Sequence, residues 1–213
     1  MIRANQIAYD YIRSRIIDGT FRPAERLVEA QLAQDIGVSR NTVKKVLLQI
    51  EQERLITIED NKGARVLSLS IEEIQEYYEI RRALEVLVVR SAVHRITEQE
   101  LEDMRRILEE MVELKKNQDY DAYSKYNRRF HEIIYDASGK TIAVEMIKSI
   151  KTQLIRFQFR TMLAPGRSDN SILEHQALLD ALSKRDEEAA SQAITRHIDN
   201  VARTIVKYKA LFY

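Results

Sequence analysis

The sequence has no cysteine and no tryptophan, and only two of its 213 residues are proline and five are glycine. Without cysteine there is no disulfide framework, no thiol nucleophile and no metal site built from thiolates. Residues that interrupt helices are scarce, whereas Leu, Ile, Glu, Lys and Arg alternate along much of the chain. This composition predicts a mainly helical protein.

Long apolar runs and a large net charge are also missing. No run approaches the roughly 18 apolar residues of a membrane span, and the N-terminus lacks the apolar centre of a signal peptide. We therefore expect a cytoplasmic protein with no membrane partner. The formal net charge is +1, so any affinity for nucleic acid must come from a local basic face rather than from bulk electrostatics.

The stretch from Leu27 to Glu51 has the pattern of a helix-turn-helix. Two short runs of helical periodicity are separated by Gly37, which can take the left-handed conformation that ends a helix. Ser39 can then cap the second helix by accepting a backbone N–H bond. A further amphipathic helix precedes this stretch at residues 6–18.

Downstream of the helix pair, residues 55–58 and 64–67 read as two short strands around a glycine turn. Three helices followed by a hairpin predict a winged helix. We place this domain at residues 1–67.

The polar side of the second helix carries side chains suited to the edges and phosphates of DNA. The predicted DNA-binding residues are Ser39, Arg40, Asn41, Thr42, Lys44 and Lys45, with Lys62 and Gly63 in the turn of the hairpin. Helix pairs joined by glycine are also common in proteins that never touch DNA. The pattern by itself therefore leaves DNA binding open.

The flanking residues add a resemblance to a known family. The segment from Ile17 to Leu55 resembles the DNA-reading domain of GntR-type bacterial repressors. The shared positions are Ile17, Gly19, Phe21, Pro23, Leu27, Glu29, Leu32, Gly37, Val38, Ser39, Arg40, Val43, Leu47 and Leu55. The resemblance implies binding to an operator in double-stranded DNA. Ala24 and Lys44 are among the positions that differ from the usual residues of the family. Such differences affect which operator sequence the domain binds.

From Ile71 onward the apolar residues recur at helical spacing, which predicts an all-helical domain over residues 68–213. Thr97 and Asp119 are expected to cap two of its helices, and Gly139 to end one. The predicted helices cover residues 71–95, 97–116, 119–138, 142–162, 171–182 and 186–209.

Three of the four histidines, His131, His175 and His197, lie on apolar stripes and should point into the bundle, whereas His94 should not. Three imidazoles that converge with an oxygen donor make an open metal site, and Asn127, one helical turn before His131, is such a donor. The alternative is that each histidine is a hydrogen-bonded core residue.

The segments that contain these histidines also resemble the FadR-type effector domain, or FCD domain, of many GntR regulators. They read YNRRFHEIIYDASGK, ILEHQALLDAL and AITRHIDN. The resemblance implies an antiparallel bundle of six or seven helices, in which an Asp and three His hold a divalent metal, zinc or nickel-like, that helps to bind a small carboxylate. Asn127 occupies the Asp position here, and its neutral carbonyl should bind a metal more weakly.

Three further residues are predicted to line a ligand pocket. Arg81 matches an Arg that such domains direct at the ligand, and a guanidinium inside an apolar bundle needs an anionic partner. The alternative for Arg81 is a salt bridge to Glu85, one turn on. Arg156 is a weaker candidate on the same reasoning. The Tyr78 hydroxyl can join the pocket, although a core or interface position is the alternative.

Together these patterns predict a ligand-responsive, DNA-binding transcriptional regulator. We expect a repressor that works as a homodimer on a palindromic operator and loses affinity when a small organic acid binds. The alternative is a metal-dependent hydrolase or lyase in which the three histidines activate water, but no acidic residue stands at the spacing of a general base. A structural dimer without a ligand would leave the inward Arg and His residues unexplained.

Overall fold

A computed structural model of the protein describes residues 2–59, 63–155, 157, 161 and 164–208. The chain forms two compact units: the first comprises residues 1–71 with 151–156, and the second residues 72–150 and 157–212. Among the described residues, every helix is too short or too polar to cross a membrane. The domain boundary after residue 67 stays a prediction.

The first unit is a winged helix, as predicted. Its elements are α1 (Ile2–Ile17), β1 (Arg26–Leu27), α2 (Glu29–Ile36), α3 (Arg40–Gln52), β2 (Ile56–Glu59) and β3 (Gly63–Val66). The strands form an antiparallel sheet in the order β1-β3-β2, with Arg26 opposite Arg65 and Ile58 opposite Ala64. The strand β1 was not predicted, because two residues are too few to give an alternating pattern.

The core of the first unit comes from one face of each helix. Ile12 and Ile16 of α1 and Val43, Leu47 and Ile50 of α3 are almost completely buried. These positions repeat every three or four residues, which places them on one side of a helix.

Two sequence predictions for the first unit were wrong. The helix predicted at residues 6–18 has Ile7, Tyr11, Ile12 and Ile16 as its apolar face, but Ile7 is 49% exposed and Ala8 is buried instead. Leu27 was expected to begin a helix, yet it lies in β1, and its side chain is buried there because β1 pairs with β3.

The second unit is all-helical in its described part, which confirms the predicted class. Its helices are α4 (Ile71–Val93), α5 (Glu98–Lys116), α6 (Tyr120–Ser138), α7 (Thr141–Gln153), α8 (Arg167–Ser183) and α9 (Glu187–Lys207). The main contacts join α8 with α9 and α5 with both α6 and α8. The apolar stripe of α5 that includes Leu101 and Met104 is buried in this packing.

Local signals fix most helix ends of the second unit where the sequence predicts them. Thr97 and Glu100 form a capping box, and Asp119 accepts a bond from the backbone N–H of Ala122. Gly139 ends α6 in the left-handed conformation, with φ 63°. Two ends differ from the prediction. The helix predicted over residues 142–162 ends at Gln153 as α7, and α8 begins at Arg167, four residues before the predicted start at Ser171.

Candidate functional site

The turn between α2 and α3 positions the amino end of α3. Gly37 has φ 75°, and its N–H bonds to the carbonyl of Ala33, which ends α2. The Ser39 hydroxyl accepts a hydrogen bond of 3.1 Å from the backbone N–H of Thr42, so one of the otherwise unbonded N–H groups of the first turn is satisfied. The start of α3 is therefore fixed by two local bonds.

The predicted DNA-binding residues of α3 face away from its buried side. Five of the six are exposed and Thr42 is half-buried; they are Ser39, Arg40, Asn41, Thr42, Lys44 and Lys45. Gly63, at the start of β3, is also exposed and has φ 81°. Lys62 lies outside the described residues. The described part of this surface offers cationic and amide donors at the end of a helix.

In the second unit, α6, α8 and α9 bring three histidines together, as predicted. His131, His175 and His197 expose 2%, 1% and 6% of their surface. One ring nitrogen from each lies within 4.8 Å of the others, and the Nε2 atoms of His131 and His175 are 3.1 Å apart. Three imidazoles this close and this deeply buried can share one metal ion.

Hydrogen bonds fix the tautomers of two of these rings. Nδ1 of His175 lies 2.5 Å from the carbonyl oxygen of Ser171. A carbonyl only accepts, so Nδ1 carries the hydrogen and Nε2 keeps its lone pair. Burial, followed by the nearby His197, lowers the pKa of His175 to about 3. The ring is therefore neutral near pH 7, which is the form that binds metals.

The carboxylate of Glu174 orients the third ring. Glu174 is 7% exposed and accepts three hydrogen bonds, from Nδ1 of His197 at 2.8 Å, from Arg167 at 3.0 Å and from Asn200 at 2.6 Å. A histidine whose Nδ1–H donates to a carboxylate presents Nε2 as a ligand, and its basicity is raised. The set of three histidines thus has a supporting shell of hydrogen bonds.

The remaining predicted ligand residues are only partly described. Asn127 is half-buried and lies one turn before His131 on α6. Arg81 donates to Glu85 at 3.0 Å with both side chains buried, which is the salt bridge considered as its alternative. Tyr78 is buried, and burial raises its pKa to about 12, so its hydroxyl stays protonated. Arg156 lies outside the described residues.

Two residues of this buried region, Arg167 and Glu174, were missed by sequence reasoning. Arg167 stands in the stretch around Pro165 and Gly166 that reads as a loop, and Glu174 reads as a solvent-facing charge. One signal was available: Glu174 follows Ser171 by three residues and precedes Leu178 by four, so it shares a helix face with buried positions.

Comparison with known families decides what kind of protein carries these two sites. Residues 4–66 match the family described as bacterial regulatory proteins, gntR family, and residues 76–200 match the FCD domain. The chain belongs to the GntR family of transcriptional regulators. It is therefore a DNA-binding regulator with an FCD domain, and the enzyme alternative has no support, since this is a family of regulatory proteins.

Individual relatives agree with this assignment. The HTH-type transcriptional regulator YdhC of Bacillus subtilis is 28% identical over 193 residues, covering 90% of this GntR-family chain and 86% of that protein. The gluconate operon transcriptional repressor of the same species is 29% identical, covering 92% and 82%. The solved structure of McbR/YncC from E. coli has a TM-score of 0.76 at 23% identity, covering 98% of this chain and 100% of that one, which shows a common fold.

The buried contacts of Glu174 predict that its replacement by alanine strongly destabilises the protein. In Glu174→Ala the buried guanidinium of Arg167 loses its counter-ion, so the free energy of unfolding should fall by about 3–5 kcal/mol. Urea unfolding followed by circular dichroism measures the loss. The matched control is Glu102→Ala, which removes an exposed carboxylate that pairs with Arg105 and Arg106. A comparable loss in both variants would contradict the buried ion pair.

Proposed function

We propose that this GntR-family regulator is a cytoplasmic, homodimeric repressor that releases its operator when a small organic acid binds at a divalent metal in the FCD domain. The observation that carries the proposal is the buried cluster of His131, His175 and His197. Histidines that serve only as core residues have no reason to converge, whereas these three bring ring nitrogens within 4.8 Å of one another.

The amino end of α3 is proposed to read bases in the major groove. Arg40 and Lys44 are exposed there, and Asn41 beside them has an amide that can bond both N6 and N7 on the major-groove edge of adenine. Val43 and Leu47, on the opposite side, are buried and hold the helix in its unit. Helices of this class enter the groove by their N-terminal residues, so the exposed donors stand where contacts are needed.

The residues proposed to hold the metal are His131, His175 and His197, with Asn127 as an oxygen donor. The donor set fits a divalent ion, because His175 and His197 use Nδ1 for hydrogen bonds and so keep Nε2 for the ion. When bound, the ion supplies a positive, Lewis-acidic contact for a carboxylate oxygen. The chain's own part is to orient the rings and to exclude water from around them.

The proposed effector is a small organic acid. A carboxylate is the natural partner for a cationic centre inside an apolar bundle, and the relative named for the gluconate operon is linked by its name to such an acid. The acid lowers operator affinity only if it binds more tightly to the conformation that binds DNA poorly. Repression and its relief then follow from the equilibrium between the conformation that binds DNA well and the one that binds it poorly.

Exposed apolar side chains in the second unit support the proposed dimer. Ile80 and Leu87 lie seven residues apart on α4 and are each 47% exposed, and Ile142 and Met146 on α7 are 71% and 54% exposed. Apolar side chains at helical spacing form a stripe that a second subunit can bury. A two-fold dimer presents two α3 helices to the half-sites of a palindrome.

The DNA contact is tested by substitution in α3. Arg40→Ala should weaken binding to the operator by about 1–3 kcal/mol and relax base preference at one position, since a guanidinium bonds a base edge bidentately. Fragments selected from random genomic DNA give the operator, and fluorescence anisotropy gives the affinities. Lys62→Ala, in the wing, should instead weaken binding to all sequences. Normal operator binding by Arg40→Ala would refute the groove assignment.

The metal site is tested by metal analysis of the full chain after loading with zinc or nickel. We expect one ion per chain in the native protein and none in His131→Ala. Asn127→Asp should raise the affinity, because a carboxylate binds a divalent ion more strongly than a neutral carbonyl does. Asn117→Asp, the same change at an exposed helix end, serves as its control. Absence of bound metal from the native protein would end the metal proposal.

Effector response is tested by titrating the operator complex of the metal-loaded protein with a panel of organic acids that includes gluconate. An effector should lower operator affinity about 5- to 150-fold, the usual range of coupling between two sites. Sorbitol, which has no carboxylate, controls for the sugar chain of gluconate. Unchanged affinity across the whole panel would refute the effector proposal.

A further inference from the structure

Several hydrogen-bond donors near the three histidines meet no acceptor among the described residues. They are Nε and Nη1 of Arg167, the hydroxyl of Tyr78 and the hydroxyl of Tyr123. The three side chains are at least 96% buried. A buried donor without an acceptor costs free energy, so four such atoms in one region indicate that an acceptor occupies it in the working protein.

These donors belong to one region of the second unit. Tyr78 lies beside Arg81, whose guanidinium carbon is 5.9 Å from the centre of the Tyr78 ring. Arg81 and Tyr135 both donate to Glu85, and the ring of Tyr135 is 6.2 Å from that of His131. Tyr123 also lies beside Ser171, whose carbonyl binds the His175 ring. Arg167 and His197 contact the same carboxylate oxygen of Glu174. The free donors therefore adjoin the histidine cluster.

The charged groups of this region determine which charge a ligand bound there must carry. Arg81 is paired with Glu85 and Arg167 with Glu174, so each buried guanidinium is already neutralised. The three histidines bind a metal as neutral rings, and Asn127 adds no charge. A divalent ion held there keeps two uncompensated positive charges, and a buried charge needs a counter-charge.

We propose that the effector carries two acidic groups, as in a small dicarboxylate. One carboxylate lies at the metal held by the three histidines, and the second accepts hydrogen bonds from Arg167, Tyr123 and Tyr78. Two negative charges neutralise the ion, and the second carboxylate satisfies the free donors. This inference rests on the proposed function, because it identifies the class of acid that the same site binds.

Calorimetry on the zinc-loaded full chain tests the inference with pairs of acids of equal length. The pairs are malonate with propionate, succinate with butyrate, and glutarate with valerate. In at least one pair the diacid should bind more than about tenfold more tightly than the monoacid. Affinities within twofold in every pair would overturn the inference.

Variants locate the second carboxylate. Arg167→Lys keeps the ion pair with Glu174 but loses guanidinium donors, so it should remove most of the diacid advantage by lowering diacid affinity much more than monoacid affinity. Tyr123→Phe removes one donor without a change of size and should reduce the same advantage. Arg106→Lys, which changes an exposed arginine on α5 that pairs with Glu102, is the matched control. Equal loss of diacid and monoacid affinity in Arg167→Lys would argue against a contact with the second carboxylate.

The need for a ligand that supplies two negative charges can be tested separately. Asn127→Asp adds one negative charge beside the ion, so it should shift preference from the diacid toward the monoacid. An unchanged preference would contradict the charge argument. If monoacids bind and release the operator but diacids have no advantage, the proposed function stands and this inference fails. If no acid binds at all, both fail.

Discussion

The carboxylate of Glu174 is the interaction on which the order of the second unit's interior depends. It accepts hydrogen bonds from Arg167, His197 and Asn200 while it is almost completely buried. Each contact solves a different problem: the arginine needs a counter-charge, the histidine needs a fixed tautomer, and the amide needs an acceptor. Four polar side chains can therefore lie inside an apolar bundle at low cost.

The same division of a helix into two faces produces both recognition surfaces. In α3 the apolar face is buried and the polar face with Arg40 is left exposed. In α6 the buried face contains His131 beside Phe130 and Ile134, so the polar group lies on the inner side. The proposed function requires one surface open to a large polyanion and one site closed around a small molecule, and helical periodicity is compatible with both.

Much of the architecture could be predicted because its signals are local. The glycine turn at Gly37, the cap at Ser39 and the capping box at Thr97 each depend on residues within four positions of one another. The meeting of the histidines could also be predicted, since each shares a helix face with apolar neighbours. Their position at the centre of the bundle follows from burial of those faces.

What could not be predicted depends on partners that are distant in the sequence. The carboxylate of Glu174 accepts a hydrogen bond from His197, which lies 23 residues after it on α9. No sequence spacing predicts a contact between two different helices. The helical position of Arg167 was not predicted, because Pro165 and Gly166 just before it suggest a loop. The helix α8 in fact begins at Arg167.

The shared carboxylate also bears on how this protein can evolve. Loss of Glu174 alone would leave Arg167 without its counter-charge and His197 without the acceptor that orients its ring, so this replacement is penalised unless its partners change with it. Substitutions at position 174 should therefore be accompanied by substitutions at positions 167 and 197 across descendants of the sequence.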